Sequence, residues 1–525
     1  MKKNYLKLVS LAVFCLGAST ATNAQKLFKD LVPGMSGSYA AGSYPQGFTN
    51  VKGTMYFYGN EGSPTSAFDL FKTDGTAAGT VVVKSAIIPY TTFGSPINYF
   101  SDFNGTVVFA TNTNNVGFQL WKTDGTSSGT AAIKTFTNAT HGANSFPQRF
   151  TTVGSTLYFS ADNGNGVELW KSDGTTAGSS EVIDLYPGSY SGGGSTFQNS
   201  GLVDGAPFIG FMGKVYFVGA NGSTPPAIYS SDGTASGTKS FFFGSGIIDF
   251  FTVFNNTLYF DDDHGNVYKT DGLSPAVQIT GVTGVKNSLI LNNKLYFSGT
   301  NLYSSDGTLI KANAGIIKGA LQSSFYTEYD HGYPVVSEYY KSDGTVAGTS
   351  ASTFNVVGTA SFDTINGKMY KWHGPEHVYP LASNTALWVT DGTDAGTKTI
   401  PVPTVGFYVL NKMLFYQNYE AATGSELWVY DPSIVTSIDK VTESKGLVKL
   451  FPNPSSGQIT IDLNGSDISG NCKFALLNSL GQLVKETTLS DKTRMDVQNL
   501  PQGFYFYQIQ NKEGKIETGK ILINY

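Results

Sequence analysis

A tandem repeat governs this chain. Nine times an aromatic residue stands three positions before an aspartate, and in eight of those copies a glycine follows, usually within Asp-Gly-Thr-x-x-Gly-Thr. The marker aspartates are Asp74, Asp124, Asp173, Asp232, Asp271, Asp306, Asp343 and Asp391, with a worn ninth copy at Asp431. Their spacings run 50, 49, 59, 39, 35, 37, 48 and 40 residues, which gives each unit room for four short strands. Residues 150–153, 156–160, 167–172 and 181–185 show the four strands of one unit, divided by Gly, Asn, Asp and Ser. In the third strand of every copy an apolar or aromatic residue precedes the Phe, Tyr or Trp, so both faces of that strand demand burial. The period-two pattern and the dense glycine exclude a helical solenoid. Sheets sandwiched between like sheets satisfy the demand. The sequence therefore predicts an all-β chain with a single large β-propeller over residues 25–432. It should hold about nine four-stranded blades, with eight as the alternative because the fifth and sixth units are short.

The Asp-Gly-Thr element reads as the turn between third and fourth strands, with glycine at positive φ and the carboxylate accepting a backbone N–H. Calcium is the rival reading. It takes about six to eight oxygens, and each copy offers one carboxylate. Residues 26–38 resemble the fourth-strand segment 181–191, and the last unit lacks that strand. The mature N-terminal strand is therefore expected to pair into the final blade and latch the ring.

Composition narrows the partners. Charged residues make up 14% of the chain, below the roughly 25% of soluble proteins at large. The pI near 5.6 and only two arginines, Arg149 and Arg494, leave no basic stripe for nucleic acid. Residues 1–24, with Lys2, Lys3 and an apolar run before Thr22-Asn23-Ala24, read as a secretory signal. No later segment is long and apolar enough to span a membrane. Cleavage near Ala24 would leave Cys472 as the sole cysteine, so stability must come from packing without disulfides.

After Pro432 the repeat stops. Residues 433–446 read as a linker, and 447–525 as seven short strands in a small Ig-like β-sandwich. Within it stand Phe451-Pro452-Asn453-Pro454-Ser-Ser-Gly457, Leu480-Gly-Gln-Leu-Val, Leu500-Pro-Gln-Gly503-Phe-Tyr and Gly519-Lys520-Ile-Leu-Ile. These residues resemble the type A sorting domain of the type IX secretion system of Bacteroidetes. The resemblance implies passage across the outer membrane and removal of the module by a surface sortase-like protease. Release, or attachment to anionic lipopolysaccharide, would follow. The propeller portion is similar to ELWxTDGTxxGT repeat proteins of the same bacteria, a resemblance that carries no agreed activity. Its glutamate is replaced at Asp69, Gln119 and Ala386, so it does not read as a shared catalytic acid.

In a blade, the 1–2 and 3–4 turns emerge on one face, and the 2–3 loops and inter-blade crossovers on the other. The repeat turns belong to the first face and the long variable loops to the second, where binding is expected. The richest loop is Trp372-His373-Gly-Pro-Glu376-His377-Val-Tyr379. His373-x-x-Glu376-His377 has inverted zincin spacing, but Gly374 and Pro375 break the helix that a metal protease would need. Asp261-Asp-Asp-His264 and residues 162–166 read as polar turns rather than cation sites. Tyr186 and Tyr190 in a crossover could stack on sugar rings or a protein partner. No catalytic or metal residue is assigned. The expected function is an exported binding or adhesion protein recognising a glycan or protein. The alternatives are a propeller-type glycosidase or lyase using acids such as Glu376 or Glu420, and a structural envelope component.

Overall fold

The computed structural model describes residues 25–433 except 37–38, 61–66, 89–99, 114–116, 137–146, 193–194, 199, 204, 224, 244–247, 331–336, 353–361, 374–385, 392–395, 401–406 and 421. It also describes 449–524 except 464–471, 479–481, 490–491 and 511–515. The expected signal segment and most of the expected linker lie outside these residues. Among the described residues no helix is long and apolar enough to cross a membrane. The chain divides into two compact units between Ile434 and Val435.

The larger unit is a β-propeller. Among its described residues nine four-stranded antiparallel sheets follow one another, over 46–88, 101–136, 148–183, 209–243, 251–278, 285–311, 316–351, 362–400 and 408–430. The last supplies only three strands of its own, and Gln25–Lys29 pairs with Gly424–Tyr430 as the fourth. The pairing matches the likeness of 26–38 to a fourth strand.

The double-sided apolar third strands explain how the sheets stack. Leu70 and Phe71 are adjacent, so they point to opposite faces, and both are buried. Leu70 packs toward the second sheet with Tyr58 and Phe109, while Phe71 packs toward the ninth with Phe57 and Phe415. Equivalent clusters join each sheet to the next around the unit: Leu120 with Phe159, Leu169 with Phe217, Ile228 with Phe260, Tyr259 with Phe297, Tyr296 with Phe325, Tyr326 with Met369, and Tyr370 with Tyr416. The series returns to its start, so the ring is closed and no sheet face is left as an end. First strands sit innermost. Gln148–Val153 touches its counterparts Ser101–Phe103 and Ile209–Phe211, and Tyr408–Leu410 touches Gln46–Val51.

A β-bulge recurs where the third strand meets the fourth, beside the marker aromatic: Leu70/Phe71, Leu120/Trp121, Leu169/Trp170, Ile228/Tyr229 and Leu302/Tyr303. Each bulge adds local twist to the outer edge of the sheet.

The smaller unit packs a three-stranded sheet (Lys449–Phe451, Gln458–Asp462, Lys492–Asp496) with a four-stranded one (Cys472–Leu477, Leu483–Leu489, Gly503–Gln510, Ile516–Ile523). Its core holds Ile459, Ile461, Cys472, Phe474, Ile509 and Ile521. The motif segments meet one another there. Asn453 Nδ2 donates to the Lys520 carbonyl at 3.1 Å and Asn453 Oδ1 accepts from Leu522 N–H at 2.9 Å. Gly519 lies under the Tyr507 ring, which a Cβ would approach to 2.4 Å.

Candidate functional site

The repeat turn is built from its own letters. Asp74 Oδ1 accepts from Thr76 N–H at 2.8 Å and Thr76 Oγ1 at 2.7 Å, and Thr76 Oγ1 accepts from Gly79 N–H at 2.9 Å. Thr73 and Thr80 hydroxyls close the base at 2.7 Å. Gly75 takes φ of 89°, which favours glycine. Gly79 is required for space, since a Cβ would lie 2.1 Å from the Asp74 carboxylate. The same bonds recur at Asp124, Asp173, Asp232 and Asp343. Hydrogen bonds from the threonine hydroxyl and then its N–H hold each of these carboxyls below the usual range. These acids are thereby committed to their own turns.

Neighbouring turns are also tied together. Lys122 Nζ donates to the Gly174 carbonyl at 2.8 Å and Lys171 Nζ to that of Gly233 at 2.7 Å. Asn411 Nδ2 in the ninth sheet reaches the Asp74 carbonyl in the first at 2.7 Å.

The opposite face is organised by buried carboxylates. Glu168, on the third strand of the third sheet, is fully buried. It accepts from Leu185 N–H at 3.1 Å and Gly201 N–H at 2.6 Å, the two roots of the crossover to the fourth sheet. Glu426 in the ninth sheet repeats the arrangement at the crossover to the first, accepting from Leu31 N–H at 3.0 Å and Ser43 N–H at 2.9 Å. Burial pushes Glu168 up to about 8 despite the two N–H bonds, with Asp184 and Glu181 adding to the rise, and it raises Glu426 as well. Asp69 does part of the same task, accepting from Ala86 N–H at 2.6 Å.

Between its two pinned roots each crossover projects a two-stranded β-finger. One pairs Met35–Ser36 with Tyr39–Ala40, and the other pairs Ser189–Gly192 with Ser195–Gln198. Tyr190 stands on the second finger, opposite Phe197. Tyr186 lies half-buried at that finger's root, its ring against Gly222, where a Cβ would come within 2.1 Å. Tyr186 thus packs the crossover onto the fourth sheet.

The other expected residues fall elsewhere. Trp372 and His373 end the second strand of the eighth sheet, Lys368–His373, paired with Leu387 and Ala386. Glu376, His377 and Tyr379 lie outside the described residues. Asp261 is buried and accepts from Asp249 N–H at 3.0 Å and Phe250 N–H at 3.1 Å, and burial pushes it up to about 7. Asp262 folds a turn by accepting from His264 and Asn266 N–H. Asp162 likewise accepts from Gly164 and Gly166 N–H.

Glu168 and Glu426 are crossover supports that sequence reasoning missed. The available signal was the shared Asp-Leu-x-Pro-Gly of residues 184–188 and 30–34, one in each of the crossovers that the two glutamates pin.

Residues 449–524 match the family described as Secretion system C-terminal sorting domain. The protein is therefore handled by the type IX secretion system and exported across the outer membrane, to the cell surface or the extracellular space. A search of curated proteins returns no match. Among solved structures the chain is similar to the WD40 domain of SCAP from fission yeast, at 10% identity over 78% of this chain and 100% of that one, with a TM-score of 0.38. The computationally designed Ika8 protein is 8% identical over 76% of this chain and 99% of its own, with a TM-score of 0.35. An extracellular domain assigned to a hybrid two-component system of B. thetaiotaomicron is 11% identical over 92% and 68%, with a TM-score of 0.28. At these scores the fold assignment rests on the chain's own sheets.

Proposed function

We propose that this exported protein is a binding protein whose crossover face recognises a glycan or a protein partner. Its C-terminal domain directs type IX secretion and is then removed by the surface protease. The observation that carries the reading is the pair of β-fingers held at their roots by Glu168 and Glu426 on a closed ring. A rigid mount that presents irregular segments is the usual setting for recognition. Tyrosine on such segments supplies broad, amphipathic contact area.

The test is a glycan array and a surface-protein binding screen with the full chain and a variant whose fingers, 35–40 and 189–198, are replaced by Gly-Ser. Binding should disappear in the variant while the melting curve stays put. Binding that survives the trimming of both fingers would remove the crossover face from the account.

A further inference from the structure

The sixth sheet breaks the pattern of the repeat turns. Two residues separate Asp306 from the strand beginning at Leu309, whereas six separate Asp74 from Val81, so the x-x-Gly-Thr portion is absent. A cleft of about 470 Å³ opens where the missing segment would sit, inside the ~300–1,000 Å³ of small-molecule sites. It lies on the repeat-turn face, away from the fingers. Its floor is apolar, formed by the buried Leu295, Tyr296 and Ile310.

Three sheets contribute its rim. Asn293 and Lys294 come from the 1–2 turn of the sixth sheet, Thr345 and Val346 from the repeat turn of the seventh, and Phe254 from the fifth. Asp306 completes it, with Oδ1 accepting from Thr308 N–H at 3.0 Å and from the Ser304 hydroxyl. Those bonds, the Ser304 hydroxyl first, hold its carboxyl below the usual range, so it is a charged acceptor at neutral pH. Val346 is 62% exposed, where the corresponding residues of other copies are the small or polar Ala77, Ser127, Thr176 and Ala235.

We propose that this cleft binds a neutral saccharide of one or two rings. One carboxylate, Asp306, and one ammonium, Lys294, line the rim, and the Asp343 carboxylate that also acts on Lys294 is tied to its own turn, so no excess positive charge is offered to an anion. An amide, a hydroxyl, the acid and the lysine give both donors and acceptors for a ring of hydroxyls. The Phe254 and Val346 side chains and the apolar floor suit the C–H faces of the same ring. The site is independent of the crossover face.

The experiment uses the full chain. Glucose, galactose, mannose, N-acetylglucosamine, cellobiose, lactose and chitobiose are tested by saturation-transfer NMR and calorimetry. At least one should bind. Asn293→Ala combined with Asp306→Asn should weaken it tenfold or more. Inserting Ala-Ala-Gly-Thr after Thr308, which rebuilds the full turn, should abolish binding, as should Val346→Arg, which plugs the rim without changing chain length. The finger-trimmed variant should bind as the parent does. The proposal is overturned if no sugar of the panel binds. It is equally overturned if binding survives both the insertion and Val346→Arg, or if finger trimming alone removes it.

Discussion

At the scale of single residues the turn letters are explained by local chemistry, and that is why they were legible. Asp, Gly and Thr act within a few positions of one another, so their spacing records their contacts. Glu168 acts across 17 and 33 residues, and no local pattern reports such a reach. Its titration supplies a prediction. In the unfolded chain it ionises near its usual 4.5, and in the fold near 8. Between those values the folded protein keeps a proton that the unfolded chain has released. Its contribution to stability is therefore whole below about pH 4.5 and is lost as pH rises through 8, at up to ~1.4 kcal/mol per pH unit. Asp261, at about 7, acts in the same direction. The melting temperature should fall between pH 5 and 8.5, and Glu168→Gln should fall less steeply. The variant should also be less stable at pH 5, by about 1–3 kcal/mol, because its amide N–H₂ faces a backbone N–H. A pH slope unchanged by the substitution would take Glu168 out of the account.

At the scale of elements, strand alternation and turn residues were visible in the sequence, and so was the likeness of 26–38 to a fourth strand. The recurrent bulge was not. It is a one-residue shift in pairing register between the third and fourth strands, and the alternation of residue types within either strand does not report it. Nor was the cleft of the sixth sheet, although its short repeat unit was plain. Shortness was read as doubt about blade number, when its physical effect is a void beside a full-length turn. The latch makes a second prediction. Phe28 meets Phe415 edge-on at 4.9 Å, Leu31 N–H is held by Glu426, and Lys29 Nζ donates to the Ala77 carbonyl at 3.0 Å in the first sheet. Deleting residues 25–34 removes all of these contacts and bares the edge of Gly424–Tyr430. Scanning calorimetry should show a melting temperature lower by 10 °C or more, with self-association on heating; a curve within 2 °C of the parent would show that the strand is dispensable. For a ~400-residue unit such a shift corresponds to roughly 8 kcal/mol or more.

At the scale of the whole molecule, closure distinguishes this ring from an open stack of the same sheets. In an open stack the first and last sheets would each bury one face, and they would fray before the rest. Here Phe415 and Leu427 of the ninth sheet are buried with Phe57 of the first, just as Leu169 is buried with Phe217 between the third and fourth. Two fully buried phenylalanines, one at the seam and one far from it, therefore make a matched pair of probes. Phe415→Ala and Phe217→Ala should each cost about 3–5 kcal/mol, the range for removing a buried ring. In urea both variants should unfold in one transition by tryptophan fluorescence, with midpoints close to each other. The five tryptophans all lie in the repeat region, between Trp121 and Trp428, so the signal samples several sheets at once. If Phe415→Ala instead yields an early partial transition while Phe217→Ala does not, the seam is an end, and the ring opens there in solution.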